Sequence, residues 1–542
     1  MSRRSWHALF LVVALASVVR AQSMNASLNG RITDSVKAVV GRANVAAISL
    51  DTDARYETTT NAEGEYYIPN LPPGRYLVEI EKAGFEKLIK SDVSLRVDDA
   101  VKMDFEMIVS SVSDTLMMDH SDSSPTSAAA AKQQTSSDPS SRLFQLVLPS
   151  EHLLDDWAGL RSKLEEKGIT PRLILVTDLA GNVRGGRSQG ATAPSSVELS
   201  LLFDLEKMHI LKGGSILASF SERWGHKLSD THIGNTFSTQ QIFGFQTWRV
   251  LDVSYQQKLF DDRVELRLGR FAAMDDFLVS PYNFGMMQNA FCGNPFGILL
   301  NAPGMSAYYG TWAAMAKVKP TKRSYVMTGI YNGDPKVREN KYHGVNLSLK
   351  GPVFAITEAG HQINGQPGDS QRLGNYKVGA WYDHSQLTNF ESGASKRGSW
   401  GYYGLFDQVL VPFGARGSNR GLGVFGSATV APNSRFQQLP LFVTAGVSAR
   451  GLFEARPRDA FTLGVASGYF SEELKRAQQS GRSIGPGGGV PDRETITELT
   501  YRFDLRKGAY FIQPDLQYIT RPGGIDHFKS AVVFGVQFGI NF

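Results

Sequence analysis

The last twelve residues of the chain alternate between apolar side chains and small or polar ones. Residues 531–542 read AVVFGVQFGINF. The apolar face carries Val532, Phe534, Val536, Phe538, Ile540 and Phe542. A period of two predicts a β-strand with one apolar face. Because such a strand with a free edge promotes aggregation, we expect it to pair with the first strand of its own sheet. That pairing closes a barrel, the β structure that can span a lipid bilayer.

The N-terminal residues have the pattern of a secretory signal. Arg3 and Arg4 precede the apolar run 9–19, and small residues stand at the usual cleavage offsets before position 22. This run is too short to span a membrane as a helix. We therefore predict a signal peptide over residues 1–21. Its removal lowers the formal charge from +5 to +2, so we expect no nucleic-acid partner.

The composition favours an exported all-β protein. The chain has 54 glycines, 11% aromatic residues and a mean hydropathy of −0.21. Strands that alternate in polarity average to a neutral hydropathy, so these values suit a transmembrane barrel. The single Cys292 excludes an internal disulfide framework, and we expect it to pack as a small side chain.

Residues 28–109 are predicted to form a separate β-sandwich. Short alternating runs are separated by the turn signals Asn61-Ala62-Glu63-Gly64 and Pro72-Pro73-Gly74. The segment 58–85, TTTNAEGEYYIPNLPPGRYLVEIEKAGF, resembles the carboxypeptidase regulatory-like domain, which implies a prealbumin-like fold. Two roles stay open, a periplasmic docking module for the cell wall or a partner, and a spacer without a ligand. The serine-rich residues 110–142 predict a disordered linker.

The remaining residues, 143–542, are predicted to form one barrel domain. A helix is expected over 151–167, in the periplasmic mouth or beneath the wall, because Leu153, Trp157, Leu160 and Leu164 form one stripe. We count sixteen antiparallel strands within residues 171–542. They lie near 171–182, 196–208, 214–224, 247–260, 263–274, 308–318, 324–333, 344–363, 375–385, 399–410, 420–432, 440–453, 459–470, 494–505, 509–520 and 530–542.

The connections between these strands alternate in length. The long ones, such as 225–246 and 275–307, fall on one parity, and short ones, such as Asp261-Asp262, fall on the other. Outer-membrane barrels have this alternation of long outer loops and short periplasmic turns. The parity requires one long strand over 344–363, running through Gly351-Pro352.

The two faces of the strands decide between a solid barrel and a pore. Leu266 and Leu268 alternate with Glu265 and Arg267, and the strands near 251–259 and 498–505 behave in the same way. An Arg or Lys at the bilayer midplane costs about 2–4 kcal/mol, so the charged faces must point inward. Because a lumen of sixteen strands is too wide for side chains to fill, it holds water, and we expect a channel.

From about Trp157 to the end of the chain, several sequence segments resemble the carbohydrate-selective porins of the OprB type, and they occur in the same order. They include DDWAGLRSKLEEKGI (155–169), LGRFAAMDDF (268–277), NAFCGNPFG (289–297), YKVGAWYDH (376–384) and QPDLQYITRPGG (513–524). The resemblance implies passive diffusion of mono- and short oligosaccharides across the outer membrane of a Gram-negative bacterium, with the N-terminal module in the periplasm. It also implies an inward-folded outer loop that narrows the pore. Carbohydrates and outer-membrane lipid are the expected partners, and a homotrimer is left open.

The candidate constriction combines charged and aromatic side chains, which suit the hydroxyls and C–H faces of sugars. The set is Arg223, Trp224, Arg267, Arg270, Asp275, Asp276, Trp381 and Asp383. Arg270 is out of register unless a bulge re-aims it, so it rests on the resemblance of its Gly-Arg-Phe word. The alternatives are that both tryptophans belong to an interfacial aromatic belt and that Arg267 and Glu265 are ordinary wall charges.

Signals for catalysis, metals or cofactors are weak, and we expect neither an enzyme nor a cofactor. Residues 186–190 fit G-x-S-x-G without a following helix, and Glu358 and His361 are three apart on a strand, which puts them on opposite faces. An energy-coupled receptor needs about 22 strands around a plug, which is more than this chain can supply. A general diffusion porin and a non-transporting adhesin or receptor stay as alternative functions.

Overall fold

The computed structural model describes two compact units, one within residues 1–130 and one within 131–542. The described residues are 26–34, 38–49, 55–72, 74–82, 85, 88–95, 100–107, 152–242, 246–291, 296–306, 309–364, 372–414, 420–481 and 489–542. The predicted signal peptide (1–21), the predicted linker (110–142) and Cys292 lie outside them.

The first unit contains two four-stranded sheets. Its strands are β1 (Ala26–Asp34), β2 (Asn44–Ser49), β3 (Arg55–Thr59), β4 (Glu65–Leu71), β5 (Gly74–Glu81), β6 (Leu88–Leu95), β7 (Ala100–Lys102) and β8 (Phe105–Met107). One sheet has the order β4-β1-β7 with β8 also on β1, and the other has the order β3-β2-β5-β6. Alternate residues such as Leu28, Ile32, Val78 and Ile80 are fully buried in one core. This arrangement agrees with the predicted sandwich.

The predicted helix 151–167 is shorter than expected. Only α1 (Leu160–Glu166) is α-helical, after a short 3-10 turn at Trp157–Gly159, and residue 151 lies outside the described residues. Asp155, Trp157 and Ala158 have positive φ angles, which an α-helix does not accommodate. Asp156 also accepts hydrogen bonds from the backbone N–H and the hydroxyl of Ser162, at 2.7 and 2.8 Å. The carboxylate of Asp156 thus accepts an N–H of the first turn of α1, whose N-cap residue is Gly159.

The second unit is a closed antiparallel barrel of sixteen strands, as predicted. They are β9 (Ile169–Gly186), β11 (Ser195–Asp204), β12 (Gly214–Trp224), β13 (Arg249–Leu259), β14 (Val264–Phe271), β15 (Thr311–Thr321), β16 (Ser324–Asn332), β17 (Val353–Ile363), β18 (Gly374–Thr388), β19 (Ser395–Pro412), β20 (Gly421–Val430), β21 (Leu441–Arg450), β22 (Ala460–Tyr469), β23 (Arg493–Leu505), β24 (Tyr510–Thr520) and β25 (Lys529–Asn541). A short β10 (Gly190–Thr192) pairs only with β9. The ladder between β25 and β9 closes the barrel, so the closing role expected of residues 531–542 is confirmed.

Long loops and short turns lie at opposite ends of this barrel. The connections 225–248, 272–310, 333–352 and 470–492 are at the long-loop end, and connections such as 260–263 and 322–323 are at the short-turn end. Two further helices, α2 (Gly297–Asn301) and α3 (Glu472–Gln479), belong to long loops.

One predicted strand, 344–363, is wrong in its first half, because β17 begins at Val353. Pro352 has no N–H to donate to a ladder, and its carbonyl accepts the N–H of Gly333 at 2.7 Å. A Cβ on Gly351 would lie 2.2 Å from the backbone nitrogen of Asp334. This close approach folds the segment back over the preceding loop instead of extending the strand.

The wall is apolar outside and polar inside. Leu268 is 53% exposed on the outer face while its neighbour Arg267 is 2% exposed, and Leu499 and Glu498 show the same contrast at 37% and 0%. The predicted orientation of these faces is confirmed. Over the described residues, the helices are too short or too polar to cross a membrane.

Candidate channel constriction

The longest loop comprises residues 272–310, and its described residues (272–291, 296–306 and 309–310) fold into the lumen of the barrel. Its backbone hydrogen bonds reach carboxylates on the inner faces of three different strands. Leu278 N–H donates to Glu358 on β17 at 2.9 Å, and Gly304 N–H donates to Asp383 on β18 at 2.7 Å. Met287 N–H donates to Glu498 on β23 at 2.5 Å. We call this segment the inserted loop.

The contacts of the inserted loop are charge-assisted, and they satisfy backbone groups that water no longer reaches. Glu358 also accepts the hydroxyls of Tyr325 and Tyr403, at 2.5 and 2.9 Å. Lys377, on the inner face of β18, donates to the carbonyl of Val279 at 2.6 Å. Hydrogen bonds to charged groups are about twice as strong as neutral ones, so these contacts fix the loop against the wall.

A second loop comprises residues 225–248, and its described residues (225–242 and 246–248) lie against another sector of the same wall. The N–H groups of Thr236 and Phe237 donate to Glu494 at 2.8 and 3.1 Å. Gln517 on β24 donates to the carbonyl of Thr239 at 3.0 Å. The two loops are joined directly, because Asn289 N–H donates to the carbonyl of Ser238 at 2.8 Å.

Apolar packing supports both loops. One cluster joins Phe277 and Leu278 of the inserted loop to Tyr331, Phe354 and Trp381 of the wall. Another joins residues of both loops to a different part of the wall, and it includes Phe237, Met287, Phe291, Phe425 and Phe442. A wide barrel is thereby narrowed by two ordered loops, which is the geometry expected of a selective channel.

Arg267 joins the wall to the start of the inserted loop. Its guanidinium contacts the carboxylates of Asp252 on β13 and Asp276 in the loop, the latter at 2.5 Å. It also lies over the ring of Phe271, 4.1 Å from the centroid. Glu265 pairs instead with Lys319. The predicted residues Arg267 and Asp276 are therefore brought together in one buried ion-pair network, with Asp275 beside it and partly exposed.

Trp381 and Asp383 both lie on the inner face of β18. Trp381 is 4% exposed in the cluster with Phe277, and Asp383 is 0% exposed. Trp381 is thus part of the packed wall under the inserted loop and does not lie in an interfacial belt. Arg223 also faces inward and is 9% exposed.

Two predicted residues, Trp224 and Arg270, occupy outward positions of their strands, although Arg270 is only 5% exposed there. Trp224 follows the inward Arg223 on the same strand, points the opposite way and is 46% exposed, as an interfacial aromatic would be. The register of β13 with β14 runs unbroken from Val253↔Arg270 to Leu259↔Val264, so the bulge that Arg270 needs is not there. Arg270 donates instead to the carbonyls of Asn346 and Gly310, at 2.6 and 2.8 Å.

The carboxylates that hold the loops are not among the residues predicted from the sequence. Glu358, Asp407 and Glu494 all occupy inward positions of their strands, so extending the period of two to every strand would have found them. Glu358 is 0% exposed, whereas the hydroxyl of Ser324 lies 2.8 Å from the ring of the exposed His361. Glu358 and His361 therefore lie on opposite faces of β17, as expected.

The G-x-S-x-G word at residues 186–190 follows β9 and leads into the short strand β10. The hydroxyl of Ser188 lies 2.8 Å from Nδ1 of His232; Ser188 is exposed and His232 is partly exposed. The strand–turn–helix context of a nucleophile elbow is therefore not formed here.

Comparisons with known proteins agree with this architecture. The profile of the "Carbohydrate-selective porin, OprB family" matches residues 188–542, and that of the carboxypeptidase regulatory-like domain matches 27–108. Porin B of Pseudomonas aeruginosa is 29% identical over 430 residues, which cover 72% of this chain and 90% of that protein. The putative porin QuiX of Acinetobacter baylyi is 26% identical over 428 residues, covering 72% of this chain and 93% of QuiX.

Among solved structures, OprB of Pseudomonas putida at high pH superposes with a TM-score of 0.66 and 26% identity. The match covers 73% of this chain and all of that one. A family profile that spans more than half of the residues, a sixteen-stranded barrel and an inserted loop agree with one another. The chain belongs to the OprB family of carbohydrate-selective porins of the outer membrane.

Proposed function

We propose that this protein lets monosaccharides and short oligosaccharides diffuse passively through a constricted, water-filled barrel in the outer membrane. The observation that carries the proposal is the inserted loop, which hydrogen-bonds to Glu358, Asp383 and Glu498 on the inner wall. A loop fixed in this way sets a size limit, and a lumen lined by charged and hydroxyl groups offers donors and acceptors to sugar hydroxyls.

Asp275 is our first candidate for direct contact with a sugar. Among the predicted inward residues it is partly exposed, whereas Arg267, Asp276, Trp381 and Asp383 are at most 6% exposed. These buried residues would act by shaping the wall and positioning the loop. The proposal includes no catalytic step and no cofactor.

The segments outside the barrel have roles that follow from export and from the two-unit organisation. We propose that residues 1–21 are removed on export, that 110–142 link the two units, and that the first unit stands in the periplasm. A homotrimer and a periplasmic or cell-wall partner of the first unit are separate hypotheses. Both require a measurement of assembly in native membranes.

Liposome swelling with the purified full-length protein tests the proposal. Glucose should enter faster than a polyol of matched size, and a trisaccharide should enter more slowly than glucose. Asp275→Asn should reduce the advantage of glucose over the polyol, whereas Asp261→Asn, in an exposed turn at the other end, should not. Equal entry of glucose and the polyol would indicate a general diffusion porin. No entry of any solute would exclude a channel and favour an adhesin.

A further inference from the structure

The inner-wall carboxylates that bind the two loops are sealed from the water of the lumen. Glu358, Asp383, Glu494 and Glu498 are each 0% exposed. Each accepts at least one backbone N–H from a loop. Their oxygens are therefore met at short range by backbone N–H groups, and a solute in the lumen cannot touch them.

Three arginines at the short-turn end of the barrel are in the opposite situation. Arg450 ends β21, Arg458 lies in the next turn, and Arg502 is near the end of β23. Arg450 is opposite Ala460, and Ala460 is opposite Arg502, so the two arginines share one row across three strands. Two strand spacings separate them, about 10 Å. We call these three residues the arginine cluster.

Alternation along the strands places the row on the inner face. Ser448 on β21 and Thr500 on β23 are each two residues from an arginine of the row, and they are 5% and 2% exposed on the lumen side. Arg450 and Arg502 are themselves partly exposed.

The arginine cluster carries more charge than its nearby carboxylates balance. Nε of Arg458 lies 3.3 Å from Oδ1 of Asp504, and the guanidinium of Arg502 stacks on the ring of Phe511, 3.4 Å from its centroid. The neighbouring Asp459 is already bound by Arg456 at 2.8 Å and by the hydroxyl of Tyr501 at 3.1 Å.

Within the described residues of this region, the charges of Arg450, Arg458 and Arg502 all act on the carboxylate of Asp504, and Arg458 contacts it directly. Arg458 keeps 26% of its side chain exposed even though it contacts that carboxylate. The cluster therefore presents positive charge to water in a narrow space whose low-dielectric walls focus the field.

We propose that Arg450, Arg458 and Arg502 form a binding site for a carboxylate or phosphate group inside the lumen. The channel would then favour acidic saccharides over neutral and cationic ones. This inference rests on the proposed function, whose substrate class it narrows. A guanidinium binds a carboxylate or phosphate group through two parallel hydrogen bonds. The partly hydrated site leaves the binding weak enough for release, as conduction requires.

Zero-current potentials in planar bilayers under a KCl gradient test this anion-binding site directly. The wild-type channel should conduct chloride better than potassium. The double variant Arg450→Gln/Arg502→Gln should reduce that preference several-fold, and Arg450→Lys/Arg502→Lys should keep it. Arg493→Gln removes a charge from the outer face of β23 and is the matched control, with no expected change. A wild-type channel without chloride preference, or a preference unchanged in the double Gln variant, would overturn the proposal.

Solutes of one size and three charges test the saccharide part. Glucuronate should pass faster than glucose, and glucose faster than glucosamine. Glucuronate should also reduce the chloride current at a lower concentration than inorganic phosphate does. If inorganic phosphate reduced the chloride current at the lower concentration, the site would bind a free inorganic anion, and the saccharide assignment would be overturned. If glucose itself does not enter, the proposed function fails. If glucose enters but glucuronate is no faster than glucosamine, only this inference fails.

Discussion

Glu498 on the inner wall accepts the backbone N–H of Met287 at 2.5 Å, across 211 residues of sequence. The same carboxylate accepts the N–H of Gln288 at 3.2 Å. One side chain therefore fixes the middle of the inserted loop to β23. The width of the passage depends on such contacts as much as on the number of strands, because a sixteen-stranded barrel without them is wide.

We expect Glu498→Ala to loosen the inserted loop without opening the barrel. The substitution leaves two buried N–H groups without their acceptor, which costs about 1–3 kcal/mol per group and favours release of the loop. Entry of a trisaccharide relative to glucose should rise in liposome swelling, while the folded band on unheated gels remains. Glu454→Ala, in an exposed turn, is the control. An unchanged size limit in the Glu498 variant would show that other contacts hold the loop.

Much of the barrel could be predicted because the face on which a side chain of a strand lies depends only on its position along that strand. Leu268 and Arg267 reveal their faces by position alone, and the parity of loop lengths checks the strand count. The same rule excludes Trp224 from the inner face once Arg223 is placed there, since neighbours on a strand point to opposite faces. It also shows that Arg270 needs a bulge to join Arg267.

The destination of the loops could not be predicted in this way. Nothing near Met287 in the sequence indicates that Glu498 is its partner, because that contact depends on the closed barrel. The starts of α1 at Leu160 and of β17 at Val353 were missed for a different reason. They depend on local backbone geometry, on the positive φ angles at Asp155, Trp157 and Ala158 and on the missing N–H of Pro352.

Trp381 and Trp224 should respond differently to truncation. Trp381 is packed in the cluster with Phe277, so Trp381→Ala should lower the free energy of unfolding by about 3–5 kcal/mol. Trp224 is exposed on the outer face, so Trp224→Ala should change it by less than about 1 kcal/mol. Urea titration in detergent, read by the gel mobility of the folded barrel, measures both. Equal losses would contradict the packed position of Trp381.

Arg161 should stabilise the seam where the barrel closes. Its guanidinium donates to the carbonyls of Phe542 and Pro171, at 2.5 and 3.3 Å, and so ties α1 to both closing strands. We expect Arg161→Ala to lower the free energy of unfolding by about 1–3 kcal/mol, because the buried carbonyl of Pro171 and the part-buried oxygen of Phe542 lose a donor. The temperature at which the folded gel band disappears should fall. Lys163→Ala, on the exposed side of α1, should leave that temperature unchanged. A fall of equal size in the Lys163 variant would argue against the seam contact.

His152 should make the docking of α1 sensitive to acid. Burial, together with the nearby charges of Arg161 and Arg172, lowers the pKa of its imidazole to about 4. Because the folded pKa lies below the unfolded value of about 6.5, the folded state disfavours the protonated ring. The stabilisation is complete above pH 6.5 and is lost as the pH falls from 6.5 to 4.

The size of this effect is on the order of 1 kcal/mol, because solvent screens a half-buried ring. His152→Asn cannot be protonated, so the variant should remove this part of the pH dependence. Limited proteolysis of the segment before α1, compared at pH 7 and pH 4.5, measures it. Cleavage should rise at the lower pH in the wild-type protein and much less in the variant. The same acid response in both proteins would assign it to other groups.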